Sequence, residues 1–192
     1  DRNEWFEFVI RGVPQPWELD GLFIHPCSNR QVMAGQGTIG LEILADLPDA
    51  DVVITPYGGG GLTGGVASSV KLLRPECRCF ACELETGAPL APSLAAGHPV
   101  DITPRHAHAF AEGFSGGPTV ISEVWPVMAA NLDGSAVMSV AELARGVKLL
   151  AERNHLVVEG AGAAAARRFV QGLRMSASER AARPKVLQTM CD

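Results

Sequence analysis

Val52-Val53-Ile54-Thr55-Pro56-Tyr57-Gly58-Gly59-Gly60-Gly61-Leu62-Thr63-Gly64-Gly65 is the stretch on which the fold turns. A β-branched run stops at a proline, four glycines follow, and a helix-forming segment, Val66 to Leu73, comes next. A strand, a bare loop and a helix start make an anion site. Without Cβ atoms the loop turns sharply and directs successive N–H groups into one concavity. The helix adds its unpaired first-turn N–H groups and a partial positive charge, and phosphate is the usual occupant. The competing reading is a flexible βα turn that binds nothing.

Which phosphate compound binds is less constrained. A Walker loop ends in Gly-Lys-Ser/Thr, but Gly64-Gly65-Val66 stands there and Lys71 lies too far along, which argues against a nucleotide triphosphatase. Gly59, Gly61 and Gly64 do satisfy the dinucleotide pattern G-x-G-x-x-G. Glu83 closes the next apolar run at about the 20-residue offset of a ribose-binding acid. A dinucleotide-dependent oxidoreductase therefore stays open as the alternative.

Around that loop, strands alternate with helices. A helix is expected over roughly Thr38 to Leu47 with Thr38 as N-cap, where Leu41, Leu44 and Leu47 recur at helical spacing and Gly37 permits close approach of a ligand or backbone. Strands are expected at 52–55 and about 78–82, and a buried-type strand at Leu22-Phe23-Ile24-His25, stopped by Pro26. His25 reads as a structural residue that packs or caps. A small-residue helix, Ala88 to Ala96, closes at Gly97, and pattern is lost from Asp101 to Pro126. Order returns at Ser135, and Ser139-x-x-Glu142 is a capping box opening a helix to about Arg153. Glu159 precedes the turn Gly160-Ala161-Gly162 and faces the pocket of the tetraglycine loop on this reading; an alanine-rich helix runs to Gly172 and a last strand spans Lys185 to Met190. The alternation implies an α/β fold: an open, mostly parallel twisted sheet with helices on both faces. A short helix is also expected over Asn3 to Arg11, with residues 1–21 a linker region and 22–192 the ligand-binding domain.

Composition narrows the function. A chain of 192 residues with 47% hydrophobic and 19% charged residues is an ordinary globular protein with a sizeable core. A formal net charge of -5, with no basic run interleaved with aromatics, argues against nucleic acid. No apolar stretch reaches the roughly 20 residues of a membrane span, so no membrane partner is expected. Five cysteines make an odd number, against a secreted disulfide scaffold. Cys77, Cys79 and Cys82 fall on a strand, the first two on one face and the third on the other, so they do not converge on a metal and read as buried thiols in a reducing, cytoplasmic compartment. His106-x-His108 lacks a third ligand at a recognisable spacing. The absence of an initiator methionine and the stop directly after an apolar run read as a fragment.

Taken together, Phe23-Ile24-His25-Pro26, Ala34-Gly35-Gln36-Gly37-Thr38-Ile39-Gly40-Leu41-Glu42-Ile43, the Gly58–Leu62 loop and Val158-Glu159-Gly160-Ala161-Gly162-Ala163 resemble the pyridoxal-phosphate enzymes of the threonine dehydratase and serine racemase family, fold type II. The resemblance implies pyridoxal 5′-phosphate as cofactor, its phosphate held by Gly58, Gly59, Gly60, Gly61 and Leu62. It implies that Glu159 lies near the nitrogen end of the ring. Cys191 falls near the place of a Ser, Cys or Thr beside the pyridine nitrogen, with Asp192 where glycine is usual. Glu83 matches a carboxylate that in some members binds a divalent cation, with Pro89 where a second acidic ligand is expected. The implied reaction is α,β-elimination from threonine or serine, with serine racemisation as a neighbour, in a homo-oligomeric parent acting on a small amino acid. The family's Ser-x-Lys motif, which carries the Schiff-base lysine, lies upstream of these stretches and is not found here. Lys71, Lys148 and Lys185 lack its context, so the chain alone is expected not to turn over substrate. A non-catalytic domain retaining the fold is the third reading.

Overall fold

The β-branched run of the opening stretch forms one of the two inner strands of a parallel sheet. The computed structural model describes residues 23–103, 107, 111, 116–172 and 186–188. Four strands, β1 (Val52–Pro56), β2 (Arg78–Leu84), β3 (Gly134–Met138) and β4 (Val186–Gln188), lie in the order β3-β2-β1-β4. All pairings are parallel: Val52 is opposite both Arg78 and Val186, and Phe80 is opposite Gly134. Every residue of β1 is buried, as a parallel strand covered on both faces requires.

Six helices are described: α1 (Arg30–Asp46), α2 (Gly61–Leu73), α3 (Leu90–Ala96), α4 (Trp125–Asn131), α5 (Val140–Asn154) and α6 (Gly160–Gly172). Alternation along the strands divides the core. Val53 and Cys79 pack with Ile43, Val66 and Val70 of α1 and α2, and Ala81 with Leu90, Val124 and Met128 around α3 and α4. Val52, Ile54, Cys82 and Leu84 face the other way, onto Leu143, Leu150 and Ala163 to Ala166 of α5 and α6. The chain thus moves outward from β1 through β2 to β3 with helices on one face, then returns past the other face to place β4 against β1. Strand order reverses at β1, and in open α/β sheets ligands bind outside the carboxyl end of the strands at such a switch point. The glycine loop leaves β1 at that place. Cys79 and Cys82 lie on opposite faces and Cys77 joins Cys79, as the alternation predicts.

Three expectations need correction. Phe23-Ile24-His25 is not a strand. Phe23 and Ile24 are 43% and 56% exposed, and the His25 ring turns the chain instead, accepting the Cys27 and Ser28 amides. The helix expected to start at Thr38 starts at Arg30, with Asn29 as N-cap: its Oδ1 accepts from the Gln31 amide at 2.9 Å and the Val32 amide at 3.1 Å. Thr38 is interior, its hydroxyl donating to the Gly35 carbonyl at 2.9 Å. Gly35, Gly37 and Gly40 depress helix propensity, but Gly37 and Gly40 are where α1 meets α2, and packing overrides propensity. The segment ending at Pro126 hides the start of α4, in whose first turn that proline sits, a favoured place because the proline lacks only an N–H with no helical partner. Elsewhere the signals hold: the Ser139–Glu142 capping box forms and Gly97 closes α3 with φ 76. The expected helix 3–11, His106, His108 and Cys191 lie outside the described residues.

Candidate phosphate-binding site at the carboxyl edge of the sheet

After Pro56 the Tyr57 amide makes a last strand-like bond, to the Cys82 carbonyl at 2.8 Å. Gly58 and Gly59 then bend the chain, and Gly60 takes the left-handed conformation, φ 90, as N-cap of α2. The first helical bond of α2 runs from the Gly64 amide to the Gly60 carbonyl at 2.8 Å. The amides of Gly58, Gly59, Gly60, Leu62 and Thr63 bond to no other group among the described residues. That of Gly61 reaches the Cys27 sulfur, a weak acceptor. A set of amides at a helix start without carbonyl partners is the arrangement an anion completes.

The loop is also closely backed. A Cβ on Gly60 would stand 2.6 Å from Val124 Cγ1 and 3.0 Å from Tyr57 Cε2; on Gly61, 2.9 Å from Cys27 Cα and 3.1 Å from the Pro26 carbonyl oxygen. A Cβ on Gly59 would run into the Cys27 thiol. The first turn of α2 is tied to the strand end by two buried hydroxyls: Thr63 donates to the Pro56 carbonyl at 2.9 Å and Thr55 to Thr63 at 3.2 Å. Burial pushes the Cys27 thiol up from its ordinary value, opposed by the Gly61 amide. Burial also raises Tyr57, helped by the nearby Glu83 and Cys27. Both groups therefore stay neutral and bring no negative charge to the loop. None of Cys27, Thr55, Tyr57 and Thr63 was singled out from sequence. The available signal was a pair of threonines flanking the glycines.

Glu83 is at the carboxyl end of β2 but 0% exposed. Its Oε1 accepts the Leu90 amide at 2.7 Å, and Oε2 accepts the Ala91 amide at 2.8 Å and the Ser135 hydroxyl at 2.6 Å. Burial raises its carboxyl above the usual range, opposed by the Ser135 hydroxyl and the two amides. It caps α3 and ties β2 to β3. Both oxygens are taken, so a ribose finds no acceptor there, which removes the acid from the dinucleotide pattern. Among the described residues no three His, Cys, Asp or Glu side chains group to hold a metal ion.

Glu159 is exposed and caps α6, Oε2 accepting the Ala161 amide at 2.9 Å and Oε1 the Gly162 amide at 3.0 Å. A Cβ on Gly160 would lie 3.2 Å from Leu143 Cδ2, and Leu143 is in the first turn of α5, just beyond the carboxyl end of β3. Glu159 therefore shares the sheet edge of the glycine loop. The two described lysines lie elsewhere. Lys71 pairs with Asp133 at 2.8 Å, and Asp133 accepts the Cys79 amide at 2.7 Å, toward the amino edge. Lys148 pairs with Glu152 on the exposed face of α5 at 3.6 Å.

The profile of the family described as Pyridoxal-phosphate dependent enzyme matches residues 18–188. The catabolic L-threonine dehydratase of Escherichia coli (strain K12) is 35% identical over 169 residues, which are 87% of this chain and 50% of that protein. The serine racemase of Dictyostelium discoideum is 36% identical over 140 residues, 73% of this chain and 43% of that one. The processed form of threonine deaminase isoform 2 from Solanum lycopersicum superposes with a TM-score of 0.74 at 26% identity, covering 86% of this chain and 46% of that one. The chain thus spans about half the length of the relatives it matches. Among the described residues no helix is long and apolar enough to cross a membrane.

Proposed function

From the premise that this chain belongs to the pyridoxal-phosphate-dependent enzyme family, we propose that it is the phosphate-binding part of a lyase that converts L-threonine or L-serine to a 2-oxo acid and ammonia. The observation that carries this reading is the set of loop amides between Gly58 and Thr63 without carbonyl partners, at the strand where the sheet order reverses. The cradle fits a phosphate ester: it is lined by main-chain donors, closed against side chains, and backed by neutral groups. Gly58, Gly59, Gly60 and Leu62 donate to the phosphate, Gly61 does so in competition with the Cys27 sulfur, and the α2 N-terminus adds its partial positive charge. Pyridoxal phosphate, when bound, supplies the sink for negative charge at the substrate Cα. Glu159 is assigned to the ring's surroundings and Cys191 to the pyridine nitrogen. In net terms, the Cα proton and β-hydroxyl leave as water, and hydrolysis of the unsaturated amine product gives the 2-oxo acid and ammonia.

Removal of the Cα proton needs an amine base. Lys71 and Lys148 are held in ion pairs away from the loop, and Lys185 stands outside a Ser-x-Lys context, so the lysine is assigned to a part of the parent not represented among these residues, and the chain alone is expected to bind without turnover. The parent is proposed to be a homo-oligomer. The buried thiols of Cys77, Cys79 and Cys82, in no disulfide, support a reducing, cytoplasmic setting.

The test is a binding titration of the 192-residue chain with pyridoxal phosphate, pyridoxal and NADH, monitored by cofactor absorbance and calorimetry. Binding of pyridoxal phosphate at least about tenfold tighter than pyridoxal is the expected result, a difference of about 1.4 kcal/mol for the phosphate. Equal affinities, or selective uptake of NADH, would overturn the reading.

A further inference from the structure

Between Phe23 and α1 the chain makes two successive turns of the same design. The Asn29 Oδ1 accepts the amides two and three residues on, Gln31 and Val32. The His25 Nδ1 does the same, accepting the Cys27 amide at 3.0 Å and the Ser28 amide at 2.9 Å. A ring nitrogen is standing in for the side-chain oxygen of an Asx turn. The two acceptors differ in one respect: the amide oxygen of Asn29 accepts at any pH, whereas an imidazolium carries a proton on both nitrogens and accepts nothing.

The turn that His25 holds is the floor of the glycine loop. The Cys27 sulfur receives the Gly61 amide and lies against Gly59, while the Pro26 carbonyl and the Cys27 backbone crowd Gly61. We propose that His25 is a positioning residue for the phosphate cradle: its unprotonated Nδ1 locks the 25–28 turn under Gly59 and Gly61, and protonation releases that turn and loosens phosphate binding. Phe23 meets the His25 ring edge-on with centroids 6.0 Å apart. Among the described residues Glu123, before α4, is a charged group facing it. This carboxyl is held below its usual range by its own amide and the Ser122 hydroxyl, with a smaller pull from His25. The Cys27 thiol is a further titratable neighbour among the described residues and stays protonated through neutral pH.

The inference rests on the loop being a phosphate site, so its test has one arm that needs no ligand. In the free chain, amide exchange by NMR over a pH series should show Cys27 and Ser28 protected while the His25 ring is neutral and unprotected once it is protonated, the ring's state being read from its own carbon-bound proton shifts. His25→Asn, which restores an acceptor at the δ position, should keep them protected throughout. Pyridoxal phosphate is the probe in the second arm. His25→Ala should weaken it about fivefold at neutral pH, the scale of losing a capping acceptor. His25→Asn should bind like wild type at neutral pH and lose less affinity on acidification. The ester's own titration is common to all variants and cancels in that comparison. Identical acid profiles for wild type and His25→Asn, or Cys27 and Ser28 amides indifferent to pH, would overturn the proposal. If no form binds pyridoxal phosphate yet the amides respond as stated, the turn lock stands and the cofactor reading is what fails.

Discussion

Gly37 of α1 and Gly65 of α2 face each other across the helix crossing, so close that a Cβ on Gly37 would stand 3.2 Å from the Gly65 carbonyl oxygen. A Cβ on Gly65 would meet the Met33 carbonyl oxygen and come within 2.8 Å of the Gly37 amide nitrogen. Exchanging an interior helical glycine for alanine ordinarily stabilises a helix by up to about 1 kcal/mol. Here the sign should reverse, because the obstructing atoms are backbone and cannot rotate away. Gly65→Ala is expected to lose about 1–3 kcal/mol, the usual penalty of overpacking, and Gly37→Ala less. Urea unfolding measures both, and a Gly65→Ala variant as stable as wild type would contradict the packing.

Two left-handed glycines separate backbone strain from cradle geometry. Gly60 has φ 90 and no room, with Val124 Cγ1 2.6 Å and Tyr57 Cε2 3.0 Å from a built Cβ; Gly97 has φ 76 and nothing within 4 Å. Alanine at either position pays the left-handed penalty of about 1–2 kcal/mol. Only Gly60→Ala must also move the loop. Pyridoxal phosphate affinity is expected to drop by about tenfold or more in Gly60→Ala, equivalent to about 1.4 kcal/mol, and to stay unchanged in Gly97→Ala. Calorimetric titration of both variants checks the contrast.

The same contrast explains what was legible beforehand. The β-branched run, the proline stop and the glycines are local signals, and β1, the loop and α2 follow from them. The Ser139–Glu142 box and Gly97 are equally local. Phe23-Ile24-His25 misled because a short apolar run before proline has the pattern of a strand, while its fate was decided by one ring nitrogen accepting two amides. The start of α1 was missed because Gly35, Gly37 and Gly40 look like breakers until the partner helix is in place. At the site, the glycine donors were readable, whereas Cys27 backs them from more than thirty residues upstream, a tertiary contact with no periodic trace. Glu83 was recognisable as a carboxylate at a strand end. That it faces inward to cap α3 depends on the register of β3, which brings Ser135 beside it.

Glu83 gives a pH prediction. Burial raises its carboxyl in the folded chain above the ordinary value of 4.5. The folded state then holds the proton more tightly than the unfolded one, so stability from this group is fully present below the unfolded value and lost as pH rises through the folded one. Glu83→Gln cannot titrate. Relative to that variant, wild type should lose stability from just above pH 4.5 upward, by about 1.4 kcal/mol for each pH unit that separates the two values. Glu83→Ala leaves the buried Leu90 amide and the half-buried Ala91 amide and Ser135 hydroxyl without their acceptor, and should cost more than Glu83→Gln at every pH, about 1–3 kcal/mol for the buried donor left unpaired and less for the two half-buried ones. Thermal unfolding across this range tests the slope, and parallel curves for wild type and Glu83→Gln would show that Glu83 does not titrate there.

Glu159 is a helix cap by its hydrogen bonds and a ring neighbour by assignment, and the two roles have different signatures. As a cap it satisfies the Ala161 and Gly162 amides with separate oxygens. Glu159→Ala should therefore cost about 1 kcal/mol of stability. Glu159→Gln keeps one oxygen to accept and presents an amino group to the other amide, so it should fall between. A cap alone has no reason to alter the spectrum of a bound cofactor. A carboxylate on the same sheet edge as the phosphate cradle does, because removing its charge shifts the proton affinity of a nearby ring nitrogen in the direction of the neutral form. The expected result is a displaced absorption maximum of bound pyridoxal phosphate in Glu159→Gln, with phosphate-dependent affinity retained. Loss of stability with an unmoved spectrum would confine Glu159 to the end of α6.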